Sequence, residues 1–68
     1  MTTDPQIRLA TEIAAQFRHR PPDEAAEAIA RHIRSFWDPR MRAGLSAQVE
    51  AGAVTDPLVL AAVRLLQR

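Results

Sequence analysis

Three Asp-Pro pairs constrain the fold of this chain more than any other feature, because each marks the start of a helix. The pairs are Asp4-Pro5, Asp38-Pro39 and Asp56-Pro57. An aspartate at the N-cap accepts hydrogen bonds from the free N–H groups of the first turn, and a proline at the next position loses no bond there. Pro21-Pro22, followed by two acidic residues, makes a fourth opening. Four openings in 68 residues predict an all-α fold, a small bundle of about four short helices.

The helices are expected at roughly residues 5–18, 22–36, 39–51 and 57–67 of one helical mini-domain, 1–68. Apolar residues recur at helical spacing in the first three segments. The positions are Leu9, Ile13 and Phe17 in the first, Ala25, Ala26, Ile29, Ala30, Ile33, Phe36 and Trp37 in the second, and Met41, Leu45 and Val49 in the third. Gly44 lies inside the third segment at a cost of about 1 kcal/mol relative to alanine. Gly52 is placed to be the residue that follows its C-cap.

The fourth segment differs, because eight of the nine residues from Leu58 to Leu66 are apolar and only Arg64 interrupts them. A helix that is apolar on every side is normally buried all round. The rest of the chain offers little to cover it, since 13 of the 68 residues are alanine and no cysteine is available for a disulfide. We therefore expect apolar surface on this helix to dock on another protein. The alternative is a compact monomer with this helix in its middle.

The sequence contains no feature of a membrane or secreted protein. The N-terminus has neither a basic region nor an apolar stretch typical of a signal peptide. The longest apolar run, from Leu58 to Val63, is six residues, against about 20 for a membrane span. We expect a soluble, cytoplasmic protein.

No motif for catalysis or for metal binding is recognisable. Ser35 and Ser46 have no spacing that links them to either histidine. His19 is expected at an exposed helix end, and His32 at the edge of an apolar stripe as a packing or interface residue. The lack of cysteine excludes iron–sulfur ligation and cysteine-based zinc sites. We expect no catalytic, cofactor-binding or metal-binding residues, and so no enzyme.

Nucleic-acid binding is the main alternative from the residues alone. The stretch from Arg31 to Arg42 holds arginines, a histidine and two aromatic residues around a helix–helix corner. A helix-turn-helix protein could use Arg40 and Arg42, at the start of the second helix, to reach bases or phosphates. Against this, the turn lacks glycine and the formal net charge is only +1. We therefore do not expect nucleic acid to be the partner.

The same corner has a specific local interpretation. Because Asp38 precedes proline, the second helix should end near Phe36. Trp37 and Arg42 then occupy the two positions that a hydrophobic staple would join, and the guanidinium could stack on the indole. The alternative is that Trp37 fills the core while Arg42 points to water.

At this corner the chain also resembles a known family. The corner carries the run His32-Ile33-Arg34-Ser35-Phe36-Trp37-Asp38-Pro39-Arg40-Met41-Arg42. This run resembles the hallmark segment of the delta subunit of soluble NAD-dependent formate dehydrogenases, bacterial enzymes that contain molybdenum or tungsten. In that family an I-R-x-F-W-D-P-R-M-R run joins two helices. Further similarity covers the segments from Ile7 to Phe17 and from Asp56 to Val59.

The resemblance implies a small non-catalytic subunit of a complex that interconverts formate and carbon dioxide with NAD. In such complexes the alpha subunit carries molybdopterin guanine dinucleotide and iron–sulfur clusters, and the beta subunit carries FMN and the NAD site. The delta subunit would dock on the alpha subunit, in a hetero-oligomer with beta and gamma subunits. There it would help to assemble, cofactor-load or stabilise the molybdenum-bearing subunit, and would bind none of these cofactors itself.

The partner-binding residues are expected at the family-like run and on the apolar fourth helix. They are Ile33, Arg34, Phe36, Trp37, Asp38, Arg40, Met41 and Arg42 in the run, and Leu58, Val59, Val63 and Leu66 on the helix. Tryptophan and arginine are enriched at the energetic centres of protein interfaces.

Overall fold

The computed structural model describes residues 5–67, and this part of the chain folds into four α-helices with no strand. The helices are α1 (Pro5–Phe17), α2 (Pro22–Phe36), α3 (Pro39–Glu50) and α4 (Pro57–Leu66). Each begins at the proline that the sequence indicated, and each ends within one residue of the predicted position. The predicted all-α bundle is confirmed.

Aspartate side chains cap two of these helices. Asp38 accepts a hydrogen bond of 2.8 Å from the backbone N–H of Met41, at the start of α3. Asp56 accepts one of 3.0 Å from the backbone N–H of Leu58, at the start of α4. Helix α2 instead begins after Pro21, without a side-chain cap, and has two acidic residues in its first turn. The cap predicted at Asp4 lies outside the described residues.

Asp56 also joins two distant parts of the chain, because its carboxylate pairs with the guanidinium of Arg18 just beyond the end of α1. Partial burial raises the pKa of this carboxyl, but the hydrogen bonds from Arg18 and from the backbone of Leu58, with the charge of Arg18, outweigh it. The net pKa of Asp56 is lowered from its ordinary value. The ionised carboxylate therefore holds the start of α4 against the α1–α2 loop.

Gly52 ends α3 in the way its position predicts. Its φ of 77° is a left-handed conformation that side-chain-bearing residues rarely adopt. The N–H of Gly52 donates to the carbonyl of Val49, and the N–H of Ala53 donates to the carbonyl of Gln48. These two bonds form a Schellman motif and satisfy carbonyls at the helix end. The chain then turns back, and Val54 is buried before α4 begins.

The core lies where the four helices meet, and α2 and α4 share the most extensive interface. Its largest fully buried side chains are Ile29, Ile33, Leu45, Val59 and Val63. Alanines of α1, α2 and α4 complete it and let the helices approach closely: Ala10, Ala14, Ala30 and Ala62. The Cα radius of gyration is 10.8 Å, close to the roughly 11 Å expected of a folded chain of this length.

The apolar helix α4 is better covered than the sequence suggested. It contacts α1, α2 and α3, and Val59, Ala62 and Val63 are completely buried among them. Its leucines are half-buried and pack against the core: Leu58, Leu60, Leu65 and Leu66. The other three helices cover more of α4 than expected, whereas docking of its remaining apolar surface on another protein stays a prediction. The alternative of a helix in the middle of the bundle describes it better.

Within the described part of the chain, no helix is long and apolar enough to cross a membrane.

Candidate interaction surface

The corner between α2 and α3 is built around Trp37. The backbone of Trp37 leaves the helix in an extended conformation, while its N–H still donates to the carbonyl of Ile33 at 2.8 Å. Its indole turns into the core and is 8% exposed. Asp38 follows, also extended as a residue before proline should be, and caps α3. Trp37 is thus the residue at which the chain leaves α2, and its side chain belongs to the core.

Phe36 lies immediately before Trp37 but points to solvent, and it is 74% exposed. The sequence placed it on the buried stripe of α2, and the structure corrects this. Helix α2 ends at Phe36, and Trp37 takes the core position at that end, so the described elements leave the phenyl ring uncovered. Its ring contacts the imidazole of His32, one turn earlier, with centroids 4.8 Å apart and ring planes inclined by 40°.

Phe36 and His32 belong to a shallow surface groove of about 340 Å³ between the end of α1 and one side of α2. Phe17 and Arg20 contribute from the other side, with the guanidinium carbon of Arg20 5.3 Å from the centroid of the Phe17 ring. At this distance the cation is attracted to the ring face. Arg31 also lines the groove, as do the small residues Ala28 and Ser35. We name the five lining residues with aromatic or basic side chains the Phe36 patch: Phe17, Arg20, Arg31, His32 and Phe36.

The other arginines near the corner have different surroundings. Arg34 donates a long hydrogen bond of 3.4 Å to the carbonyl of Leu65, near the end of α4. Arg40 is exposed in the first turn of α3. Arg42 is half-buried, and its Nε is buried without a hydrogen-bond partner among the described residues. A half-buried guanidinium is poorly placed to reach the bases of DNA, so the position of Arg42 does not favour the helix-turn-helix alternative.

Of the two interpretations of Trp37 and Arg42, the structure does not show the stacked pair among the described residues. Within residues 5–67 it is Arg20 that lies over a ring, that of Phe17. Trp37 fills the core, as in the alternative that the sequence left open. Arg42, however, does not simply point to water, since it is half-buried.

The residues predicted to bind a partner separate into two groups in the structure. Four are buried in the core and present no surface to a partner in this conformation: Ile33, Trp37, Val59 and Val63. The other eight are exposed or half-buried: Arg34, Phe36, Asp38, Arg40, Met41, Arg42, Leu58 and Leu66. The first group supports the fold around the corner. Partner contact by the second group stays a prediction.

Of the Phe36 patch, Phe36 alone belongs to the predicted partner-binding residues. His32 is expected as a packing or interface residue, and sequence reasoning missed Phe17, Arg20 and Arg31. One signal was available, because His32 and Phe36 are four residues apart on a helix and must be neighbours. The approach of Phe17 and Arg20 depends on how α1 packs against α2, which no local spacing reveals.

The chain offers few of the usual ligands for an iron–sulfur cluster or a metal ion. The chain has no cysteine to ligate an iron–sulfur cluster. Within residues 5–67, no group of three or more histidine, aspartate or glutamate side chains could hold a metal ion. The arrangement at the Phe36 patch is that of a contact surface, an exposed aromatic ring bordered by cations.

Comparison with known proteins agrees with the resemblance seen in the sequence. No curated protein and no solved structure matches the chain. The family model of the NADH-dependent formate dehydrogenase delta subunit FdsD matches residues 6–63, which include all of α2 and α3 and the corner between them. Since this is most of the chain, the protein belongs to the FdsD family of formate dehydrogenase delta subunits.

Proposed function

We propose that this chain docks on the molybdenum-bearing alpha subunit of an NAD-dependent formate dehydrogenase and helps to assemble, cofactor-load or stabilise it. The family match over residues 6–63 is the observation that carries the proposal. The exposed Phe36, next to the buried Trp37, supports it, because a large apolar side chain at the surface is a common anchor of protein interfaces.

In this proposal the chain is an accessory subunit without catalytic residues. Molybdopterin guanine dinucleotide and the iron–sulfur clusters would belong to the alpha subunit, and FMN and the NAD site to the beta subunit, with a gamma subunit completing the cytoplasmic complex. The absence of cysteine supports this division, because thiolates are the usual ligands of iron–sulfur clusters.

Co-purification tests the docking step. The untagged chain is produced together with a tagged alpha subunit, in the presence and absence of the beta and gamma subunits. We expect it to be retained with the alpha subunit in both cases. A chain that elutes alone under all conditions would overturn the proposal.

Metal analysis separates the roles that docking could serve. The complex is purified from cells with and without this chain, and molybdenum and iron are measured per alpha subunit. A loss of molybdenum alone indicates a role in cofactor loading. Full metal content combined with faster subunit dissociation indicates a structural role. If removing this chain alters neither the metal content nor the dissociation rate, both roles are contradicted.

A further inference from the structure

We infer that the Phe36 patch is the docking surface of this chain, and that its partner is a protein surface with an apolar pocket for the Phe36 ring bordered by carboxylates for Arg20 and Arg31. The inference rests on the proposed function and adds to it the contact site and the chemistry of the partner.

Exposure first restricts the choice of surface. Among the described residues, the large apolar side chains that are clearly exposed are Phe36, at 74%, and Leu9 of α1, at 41%. The leucines of α4 are already half-buried by the chain's own helices. A partner that covers Phe36 would therefore remove more apolar area from water per side chain than one that covers Leu9 or any part of α4.

Charge distinguishes Phe36 from Leu9. The groove around Leu9 is lined by Arg8 and Glu12, which form an ion pair of 3.7 Å. The positive and negative charges at its border therefore cancel. The groove at Phe36 is lined by Arg20 and Arg31 and by no acidic residue. A surface whose border carries a single sign of charge favours a partner of the opposite sign and excludes a like-charged one.

Arg20 and Arg31, the two arginines of the patch, form no ion pair with a described residue and can therefore bind carboxylates of a partner. Ion pairs among the described residues join Arg8 to Glu12 and Arg18 to Asp56, so Arg31 forms none even though Glu27 lies one turn before it. Glu27 lines a different groove, together with Arg31 and Arg34.

The geometry of the patch suits a partner protein whose surface combines an apolar pocket with carboxylates at its border. The imidazole of His32 packs against the Phe36 ring, so the ring is supported on one side and open to a partner on the other. Arg20 is held over Phe17 in the same way. Planar guanidinium groups at a partly apolar site bind carboxylates through two parallel hydrogen bonds. A partner pocket that lacks either the apolar floor or the carboxylates would leave half of this surface unmatched.

Two variants and two matched controls test the inference. Phe36→Ala and Arg31→Glu change the patch, while Leu9→Ala and Arg8→Glu make the same kinds of change on the exposed side of α1. Each full-length chain is titrated against the tagged alpha subunit, and its helix content is checked by circular dichroism. We expect Phe36→Ala to weaken binding about 30-fold and Arg31→Glu about tenfold, with both controls within about twofold of the wild type.

The outcomes are distinguishable. A wild-type chain that does not bind the alpha subunit overturns the proposed function. A wild-type chain that binds, with Phe36→Ala and Arg31→Glu binding equally well, overturns the docking surface and leaves the proposed function intact. Two other results would also overturn it: patch-dependent binding to an arbitrary DNA duplex with a steep salt dependence, or patch-dependent dimerisation of the chain without alpha subunit.

Discussion

Phe36 and Trp37 are adjacent in the chain, and the structure gives them opposite surroundings. Trp37 is 8% exposed and fills the core, whereas Phe36 is 74% exposed and meets only His32 and the patch around it. The separation arises because α2 ends between them, so that the backbone of Trp37 becomes extended and its side chain turns inward. One dipeptide thus supplies both an internal anchor and an external aromatic ring.

The difference shows how a short chain can combine a fold and a binding surface. The core is small and rich in alanine, so the large indole contributes more to the free energy of unfolding when buried than it would at the surface. The phenyl ring would also gain from burial, but the described helices provide nothing to cover it. We therefore expect the run around these two residues to have two effects: Trp37 stabilises the fold, and Phe36 contributes to association with a partner.

The largest effect on stability is expected from Trp37→Ala. Removing the indole leaves a cavity where α2, α3 and the core meet, and should lower the free energy of unfolding by about 3–5 kcal/mol. A domain of this length has only about 3–10 kcal/mol in total, so the variant should be partly unfolded at 25 °C. Urea or thermal denaturation followed by circular dichroism measures the loss. Phe36→Ala is the control and should remain within about 0.5 kcal/mol of the wild type; equal losses for the two variants would abolish the distinction between them.

A smaller loss, about 1–2 kcal/mol, is expected from Asp56→Asn and Asp56→Ala, which remove the ion pair to Arg18 and weaken or remove the cap of α4. The effect should depend on pH. Because the pKa of Asp56 is lower in the folded chain, its contribution is fully present above its unfolded pKa of about 3.9 and is lost as the pH falls through the lower folded value. Melting temperatures of wild type and Asp56→Asn, compared from pH 7 downwards, should begin to converge below about pH 4 and should meet below the folded pKa of Asp56. A constant gap down to the most acid pH would contradict the role of the ionised carboxylate.

Asp38→Ala should cost about 1 kcal/mol, less than Asp56→Ala, because Asp38 caps α3 but forms no ion pair among the described residues. It bears directly on the corner, since Asp38 fixes the chain just after Trp37. We expect the emission of the single tryptophan to shift slightly to the red as the indole loosens. Asp38→Asn, which keeps a side-chain acceptor, should preserve both stability and emission, and an equal effect of the two substitutions would argue against capping.

The smallest effect is expected from Gly44→Ala, and it should be stabilising. A Cβ atom at this position would meet the side chain of Gln6 at 3.7 Å, which is an ordinary contact, and alanine favours the helix interior. We expect a gain of about 0.5–1 kcal/mol in thermal or urea denaturation, with no effect on association. Gly52→Ala is the matched control and should destabilise the chain by about 1 kcal/mol, because its φ of 77° is unfavourable for alanine. Destabilisation by Gly44→Ala would show that α1 and α3 pack more closely than in this structure.

The elements of the fold could be predicted from the sequence because their signals are local. Asp38, Asp56 and Gly52 act on the backbone within a few residues, so the starts of α3 and α4 and the end of α3 follow from short segments. The surroundings of α4 could not be predicted in this way. Its apolar residues are the same whether three helices surround it or one, and only the packing decides.

The binding surface could be predicted only in part, for the same reason. The run around Phe36 identified the family, and His32 could be placed beside Phe36 from their spacing. Helical periodicity, however, assigned Phe36 to the buried stripe, because it describes a helix as if neighbours covered its full length. The contribution of Phe17 and Arg20 depends on the packing of α1 on α2, which is tertiary information.

Hydroxyl-radical footprinting of Phe36 tests the central claim most directly, because it reports the exposure of individual side chains in the free chain and in its complex with the alpha subunit. We predict that Phe36 is labelled strongly in the free chain and is protected in the complex, while Leu9 is labelled equally in both and Trp37 weakly in both. Equal labelling of Phe36 in the free chain and in the complex, or protection of Leu9 in its place, would contradict the account.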